Sequence, residues 1–376
     1  MKKTLLVTLE YPPFHGGIAN YLFNLVKNWP TDQFAVVCSP QLGSFDFDSV
    51  QAYQVNRYPL ILNYPLVWPK WIWSYGYLKR LIQKEKYEHL VISHILPLGT
   101  IGLMLKRRLN LPYTVICHGT DILTASHSAR KKRLMQKIFQ SASNIVANSE
   151  FTAGLIKNLG DFKSKISIIT PATDFLDKAT EADSASVINR YKLENKKILL
   201  TVGRLIKRKN QTAVIKAMAT LNKRWPDLVY LIVGKGPYQK NLEELAQRLK
   251  VKSNVILVGA VAGRDLPDYL MAADIFINVE QADSLEVPGF GLVFLEANAL
   301  GKPVIGSRVG GITEAIVEGQ TGLLIDPNQQ SELEKAISSL LEDKQLAHRL
   351  GEQGQQRVVN DFGWLSRSDR LKKIIS

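Results

Sequence analysis

Cysteine is scarce. In 376 residues only Cys38 and Cys117 occur, each within an apolar run. Two such positions cannot build the bridged framework of a small secreted scaffold, and they fit a reducing cytoplasm. Long apolar stretches are missing too. No run reaches the roughly 18 to 20 residues that span a bilayer. Lys2-Lys3 ahead of an apolar run looks like the start of a signal peptide, but the run stops at Glu10 without a small-residue cleavage site. A first buried strand is expected there instead. Zinc-ligand spacing, an RNA-binding aromatic signature and a helix-turn-helix pattern are all lacking, which ranks nucleic acid last among partners. There is no low-complexity segment and no repeat of solenoid length. Acidic residues are outnumbered, 34 against 48 Lys and Arg, for a net charge of +14. The excess lies mainly in residues 1–180, with 21 cations against 11 anions. Such a half expects an anionic partner, a phosphorylated substrate or an acidic lipid.

What is present is ordinary globular material. Hydrophobic residues make up 45% and charged residues 22%, enough for a substantial core. The length favours two domains. Short apolar runs alternate with amphipathic stretches throughout. Strands are expected at Leu5 to Leu9, Phe34 to Cys38, Leu90 to Ser93, Tyr113 to Cys117, Asn144 to Ala147 and Ile166 to Ile169. A second set runs Ile198 to Val202, Val229 to Val233, Val255 to Leu257, Ile275 to Asn278, Pro303 to Gly306 and Gly322 to Ile325. Helices are expected between them, as at Ile18 to Asn28, Asn210 to Asn222 and Ser331 to Glu342. Buried strands alternating with helices imply parallel sheets covered on both faces, an α/β class. Twelve strands overfill one sheet. We expect two doubly wound, Rossmann-like domains, 1–178 and 186–359, joined by a polar linker at Leu176 to Ser186. A short basic tail, 360–376, follows.

Ligands of such sheets sit at the carboxyl ends of the strands. Four segments stand there. Tyr11-Pro12-Pro13-Phe14-His15-Gly16-Gly17-Ile18 follows the first strand and precedes a helix. Its paired glycines let backbone N–H groups approach an anion, although an ordinary glycine turn reads the same way. It is not the GxGxxG fingerprint, and no acidic residue ends the second strand, so a dinucleotide site is weakly supported. Cys117-His118-Gly119-Thr120-Asp121 places a His at a strand end. His118 either turns into a cleft to bond a hydroxyl or is a satisfied structural residue. Gly203-Arg204-Leu205-Ile206-Lys207-Arg208-Lys209-Asn210 sets cations just before a helix. They oppose the helix dipole and call for an anion, such as a diphosphate held by Arg204 and Lys209. Asp283-Ser284-Leu285-Glu286-Val287-Pro288-Gly289-Phe290-Gly291-Leu292-Val293-Phe294-Leu295-Glu296-Ala297 puts Glu296 about two turns into a helix, on an otherwise apolar face. A carboxylate there is costly to bury without partners, and ribose hydroxyls are good ones.

The order Gly-Gly, His-Gly-x-Asp, Gly-Arg-Leu-x-x-x-Lys and Gly-Phe-Gly-x-x-x-x-Glu-Ala resembles the retaining glycosyltransferases of family 4. Ile232 to Pro237, Ala273 to Phe276 and Gly310 to Glu314 are similar to it as well. The resemblance spans the chain and leans, on softer features, toward the phosphatidylinositol-mannoside type of mannosyltransferase. It implies the GT-B fold, with an N-terminal acceptor domain facing a C-terminal donor domain across a cleft, and a C-terminal helix returning to the first. The implied activity transfers a hexose from a nucleotide diphosphate sugar, GDP-mannose first and a UDP-hexose next, to a glycan or lipid-linked acceptor. Anomeric configuration is kept and no metal or other cofactor is needed. By this likeness Arg204 and Lys209 hold the diphosphate and Glu296 the ribose. Backbone from Gly289 through Phe290, Gly291 and Leu292 to Val293 meets sugar and phosphate. His118 faces the donor sugar, with Gly16 and Gly17 beneath it. One departure stands out. The family has two glutamates separated by seven residues, and the earlier position here is Pro288. Glu286 and Asp283 are the candidate substitutes for that sugar-binding carboxylate.

Tyr64 to Arg80 holds three of the six tryptophans, and basic clusters follow at Lys106-Arg107-Arg108 and Arg130-Lys131-Lys132-Arg133. Such residues suit an anionic bilayer interface, and the aromatics equally suit a core. A peripheral enzyme on the cytoplasmic face of the plasma membrane is one expectation. Two alternatives share the fold: a sugar-nucleotide epimerase, for which the Gly-Phe-Gly helix supplies no acid/base set, and a degenerate nucleotide-sugar binder, motivated by Pro288.

Overall fold

A computed structural model describes residues 2–14, 16–62, 64, 68–175, 183–282 and 286–376. The chain divides into two compact units. One comprises Met1–Pro171 together with Trp364–Ser376, the other Ala172–Gly363.

The first unit holds β1 (Thr4–Thr8), β2 (Phe34–Cys38), β3 (Gln54–Arg57), β4 (His89–Ser93), β5 (Tyr113–Cys117), β6 (Asn144–Ala147) and β7 (Ile166–Ile168). They form one sheet in the order β3-β2-β1-β4-β5-β6-β7. Every pairing is parallel. β1, β2, β4 and β5 are buried at every residue. Leu5, Val37, Ile92, Val115 and Ile145 are part of one apolar cluster with Ile101, Ile138 and Phe139 of the covering helices. Full burial of each such side chain contributes about 1.5–3 kcal/mol.

The second unit holds β8 (Lys197–Val202), β9 (Leu228–Val233), β10 (Val255–Gly259), β11 (Ile275–Asn278), β12 (Val304–Ser307) and β13 (Leu323–Ile325). Their order is β10-β9-β8-β11-β12-β13, again all parallel. Chain order reverses once in each sheet, between β1 and β4 and between β8 and β11. Strand-to-helix loops diverge at such a point and leave a crevice at the carboxyl edge.

The twelve expected strands are all present, with ends moved by two residues at most. β3 was not expected. Its sequence Gln-Val-Asn-Arg is half-exposed on the sheet edge and has no apolar pattern to read. Residues 176–182 of the expected linker lie outside the described residues. The linker's last part is not a linker: Ser184–Tyr191 is a helix, capped where the Asp183 carboxylate accepts the Ala185 N–H at 3.0 Å. Asn360 and Asp361 close the helix Lys344–Asp361, and a separate helix, Trp364–Ile375, belongs to the first unit. There Trp29 Nε1 donates to Ser368 Oγ at 3.0 Å, and Lys2 Nζ to the Ile375 carbonyl at 2.9 Å.

The aromatic segment splits. Trp71, Tyr75 and Tyr77 pack against the core, whereas Tyr64, Trp68 and Trp73 are exposed, Trp68 by 86%. Pro65, Leu66 and Val67 lie outside the described residues. In a parallel sheet each connection leaves the carboxyl edge of one strand and returns to the amino edge of the next, so the last helix of a connection runs back from the carboxyl edge. The starts of Ile72–Glu85, near Trp73, and of Ala129–Ser141, with Arg130, Lys131 and Lys132, therefore share it. Lys106, Arg107 and Arg108 end Leu98–Leu109 and lie at the opposite edge.

Candidate active site

In the second unit the loop after β8 is pressed from one side by the loop after β9. Gly234 has φ +142°, and a Cβ there would stand 1.9 Å from the Gly203 carbonyl oxygen. A Cβ on Gly236 would stand 2.2 Å from the Leu205 oxygen. The Leu205 N–H donates to the Lys235 carbonyl at 3.0 Å, and Tyr238 N–H to the Leu205 carbonyl at 3.0 Å. This backing holds the backbone at Arg204, whose side chain is exposed. Among the described residues its guanidinium has no ion-pair partner.

Across the reversal point, Glu280 follows β11 by two residues. Its side chain is 3% exposed, and its two carboxylate oxygens take Arg208 Nη1 and Lys209 Nζ separately. Asn278 Nδ2 donates to it at 3.3 Å. Burial pushes the Glu280 carboxyl up, but Lys209 and then Arg208 outweigh it and hold the group below the usual carboxylate range. Arg208 Nε also donates to Glu286 at 3.1 Å. A backbone bond from Gln281 N–H to the Arg208 carbonyl at 2.9 Å joins the two loops.

The next loop opens the helix Leu292–Ala299 through Gly291, at φ +101°. An L-residue with a side chain is strained in that conformation. Gly310 and Gly311 let the loop after β12 lie against Pro288 and Gly289. A Cβ on Gly311 would stand 2.1 Å from the Gly289 oxygen, and Gly311 N–H donates to the Pro288 carbonyl at 3.0 Å. Glu296 is buried on this helix. Gly351 and Gly354 of Lys344–Asp361 permit close packing behind it, since their Cβ atoms would strike the Gly301 oxygen and Asn298 at 2.0 and 2.4 Å.

In the first unit, Gly16 caps the helix Gly17–Val26, and Gly17 has open space where a Cβ would go. A Cβ on Gly16 would come within 3.4 Å of Glu10 Oε2. Glu10 Oε1 lies 3.8 Å from His94 Nε2. His94, just past β4, has φ +77°. Its Nδ1 is 3.4 Å from Ser93 Oγ, which is 2.8 Å from His118 Nε2. His118 is 7% exposed, and its ring meets Tyr21 edge-on at 5.8 Å. Burial, then His94, lowers its pKa to about 3, so it is neutral at pH 7. Asp121 Oδ1 accepts the His118 and Ile122 N–H groups, both at 3.1 Å.

Two family models divide the chain between them. Residues 15–175 match glycosyltransferase family 4, and residues 186–357 match glycosyl transferases group 1. The chain is a glycosyltransferase of this group, with the GT-B fold. A GDP-mannose-dependent alpha-(1-6)-phosphatidylinositol monomannoside mannosyltransferase of Mycolicibacterium smegmatis is 28% identical to it, over 99% of this chain and 98% of that protein. The monoacylated-substrate counterpart from Corynebacterium glutamicum is 27% identical, over 100% and 98%. Among solved structures, Anabaena HepE in complex with UDP superposes with a TM-score of 0.84 at 21% identity, covering 99% and 98% of the two chains.

Several site expectations for the glycosyltransferase need revision. Its Lys209 is not a free cation but shares Glu280 with Arg208. Glu286 is turned to Arg208, and Asp283 lies outside the described residues, as does His15. Phe290 faces Phe362 in the core at 6.1 Å, so only its backbone is available to a ligand. Leu292 opens the helix, which places Glu296 one turn in rather than two. His118 is packed and bonded to Ser93 rather than turned freely outward. Sequence reasoning missed Glu280, Glu10, Ser93 and His94. All four stand at or just past a strand's carboxyl end, the position already searched, but belong to no familiar motif.

Proposed function

We propose that this glycosyltransferase retains anomeric configuration, needs no metal, and moves a mannosyl group from GDP-mannose to a lipid-linked acceptor at an anionic membrane surface. The observation carrying the donor side is the cationic loop at the β8–β11 reversal. Arg204 is exposed there beside Arg208 and Lys209, and all three end on one loop. Arg204 offers a planar fork for two phosphate oxygens, while Lys209 and Arg208 are held on Glu280. In the proposed step the acceptor oxygen bonds the anomeric carbon as the carbon–phosphate oxygen bond breaks. The electron pair leaves on the nucleoside diphosphate, and its oxygen takes the acceptor proton. Fixed cations stabilise the growing phosphate charge, the task a divalent ion performs elsewhere. Buried Glu296 supplies a carboxylate for ribose hydroxyls. GDP-mannose is favoured by the donor of the Mycolicibacterium and Corynebacterium relatives, and a uridine diphosphate sugar by the UDP complex of HepE.

A thermal-shift screen tests this. GDP and GDP-mannose should raise the melting temperature equally with and without EDTA, by about 2.7 kcal/mol of added stability at a hundredfold excess over Kd. Preference for UDP-glucose would change the donor. A shift lost in EDTA would overturn metal independence, and a shift without any turnover would favour the binder reading.

The membrane side rests on the exposed Trp68, Trp73 and Tyr64 and on Arg130, Lys131 and Lys132 in the first turn of Ala129–Ser141. Those cations oppose their own helix dipole, so an external anion favours them. No helix among the described residues is long and apolar enough to cross a membrane. Each surface cation adds about 1 kcal/mol of attraction to an anionic leaflet. The protein should therefore float with phosphatidylglycerol liposomes at low salt and not with phosphatidylcholine alone. Changing Arg130, Lys131, Lys132 and Arg133 to serine should release it. Full solubility of the unaltered protein with both vesicles would sink the membrane reading.

A further inference from the structure

Glu10, His94, Ser93 and His118 form a chain of side chains past the carboxyl ends of β1, β4 and β5. His94 has φ +77°, a conformation uncommon outside glycine that histidine, like asparagine and aspartate, takes more readily than other side chains. Strain of this kind costs about 1–3 kcal/mol and persists where the surroundings impose it, often at functional sites. Here the positive φ turns the ring between two partners, Glu10 Oε1 at 3.8 Å on Nε2 and Ser93 Oγ at 3.4 Å on Nδ1. The His94 and His118 rings are 5.8 Å apart. His118 is buried, whereas the His94 side chain keeps 13% of its surface and Glu10 keeps 31%. The exposed end of the relay is thus the Glu10–His94 pair. It lies at the β1–β4 reversal, where a crevice opens, next to Gly16, where a Cβ would strike the Phe14 ring at 2.9 Å and stand 3.4 Å from Glu10 Oε2.

We propose that Glu10 and His94 form the acceptor-hydroxyl site of the first unit. His94 Nε2 bonds the attacking hydroxyl, or water in its place, and the Glu10 carboxylate takes the other side of the same oxygen. This rests on the proposed transfer reaction and names where its second substrate is held. The 3.8 Å separation is too long for a direct hydrogen bond and admits an oxygen that touches both groups. Ser93 Oγ lies on the other side of the ring, 3.4 Å from Nδ1, where the hydroxyl can donate or accept. A carboxylate and an imidazole in one notch suit a sugar or polyol hydroxyl, which donates to one and accepts from the other.

The test uses the full-length protein with GDP-mannose and UDP-glucose. Turnover is measured in water alone and with octyl α-D-mannopyranoside, and donor Kd by calorimetry. Glu10→Gln and His94→Gly are compared with the unaltered protein. Glycine adopts φ +77° without strain, so the second variant removes the ring while relieving the backbone. We expect turnover to fall at least tenfold in both variants, with donor Kd within twofold. Free imidazole should restore part of the His94→Gly loss. Unchanged turnover overturns the proposal, as does a donor Kd that weakens in step with turnover, or a loss that imidazole leaves untouched. An unaltered protein that turns over while both variants keep its rate overturns the acceptor site alone; one that binds donor and never consumes it favours the binder reading and overturns the transfer together with its acceptor site. One that binds no nucleotide sugar overturns the proposed function instead.

Discussion

Replacing Arg204 with alanine is expected to lower kcat/KM for the nucleotide sugar by about 10²–10³-fold, the usual cost of deleting one preorganised donor to a developing anion. The reason lies in how the three loop cations are committed. Arg208 and Lys209 already satisfy Glu280, and Arg208 also meets Glu286. Their charges are largely cancelled before any ligand arrives. Arg204 has no such partner among the described residues, and its backbone is clamped through Leu205 by the loop after β9. On the proposed reading it therefore carries most of the uncompensated charge that a leaving diphosphate meets. Arg204→Lys should recover little, because a point charge cannot reproduce a planar fork. Steady-state kinetics decide the matter, with the nucleoside diphosphate melting shift as a second readout. Arg204→Ala with unaltered kcat/KM would mean that Lys209 leaves Glu280 on binding and does the work alone.

The fold was legible because its strands are buried on both faces. A run such as Phe34–Cys38 must be apolar at every position, and such runs end sharply at glycine or polar residues. β3 was invisible for the opposite reason: an edge strand facing solvent needs no apolar residues. The site was legible where backbone geometry demands glycine, as at Gly291 and Gly311, since those positions leave a mark in one dimension. Ion-pair partners leave no such mark. Glu280 and Lys209 lie 71 residues apart, and only the adjacency of β8 and β11 brings them together. His94 and Glu10 meet through the β1–β4 pairing in the same way. A charged residue beside a strand end reads as solvated until the strand order is known. That is why Glu286 and Asp283, near in sequence to the glycine loop, stand among the candidates and Glu280, near in space to the cations, does not.

Glu280 should prove the most sensitive position for stability. Removing one partner from a buried, charge-bonded cluster costs about 3–5 kcal/mol, because the remaining charges stay buried without compensation. Glu280→Ala leaves Arg208 and Lys209 facing each other, with side chains only 16% and 17% exposed. Glu280→Gln keeps the shape but loses the charge, and it cannot accept from both cations, since one of its two ends is a donor. Both variants should lower the denaturation midpoint, alanine more than glutamine. Acid should do the same to the unaltered protein. The folded-state pKa of Glu280 is depressed, so its contribution is complete above the unfolded value of about 4.3–4.5 and is lost as pH falls through the folded value. The difference in stability between the unaltered protein and Glu280→Gln, measured by urea unfolding, should therefore be constant near neutrality and shrink below about pH 4. A difference independent of pH would mean that the glutamate holds its place by shape rather than by charge. In that case the charge of Glu280 would not cancel those of Arg208 and Lys209, and Arg204 would lose its privileged position.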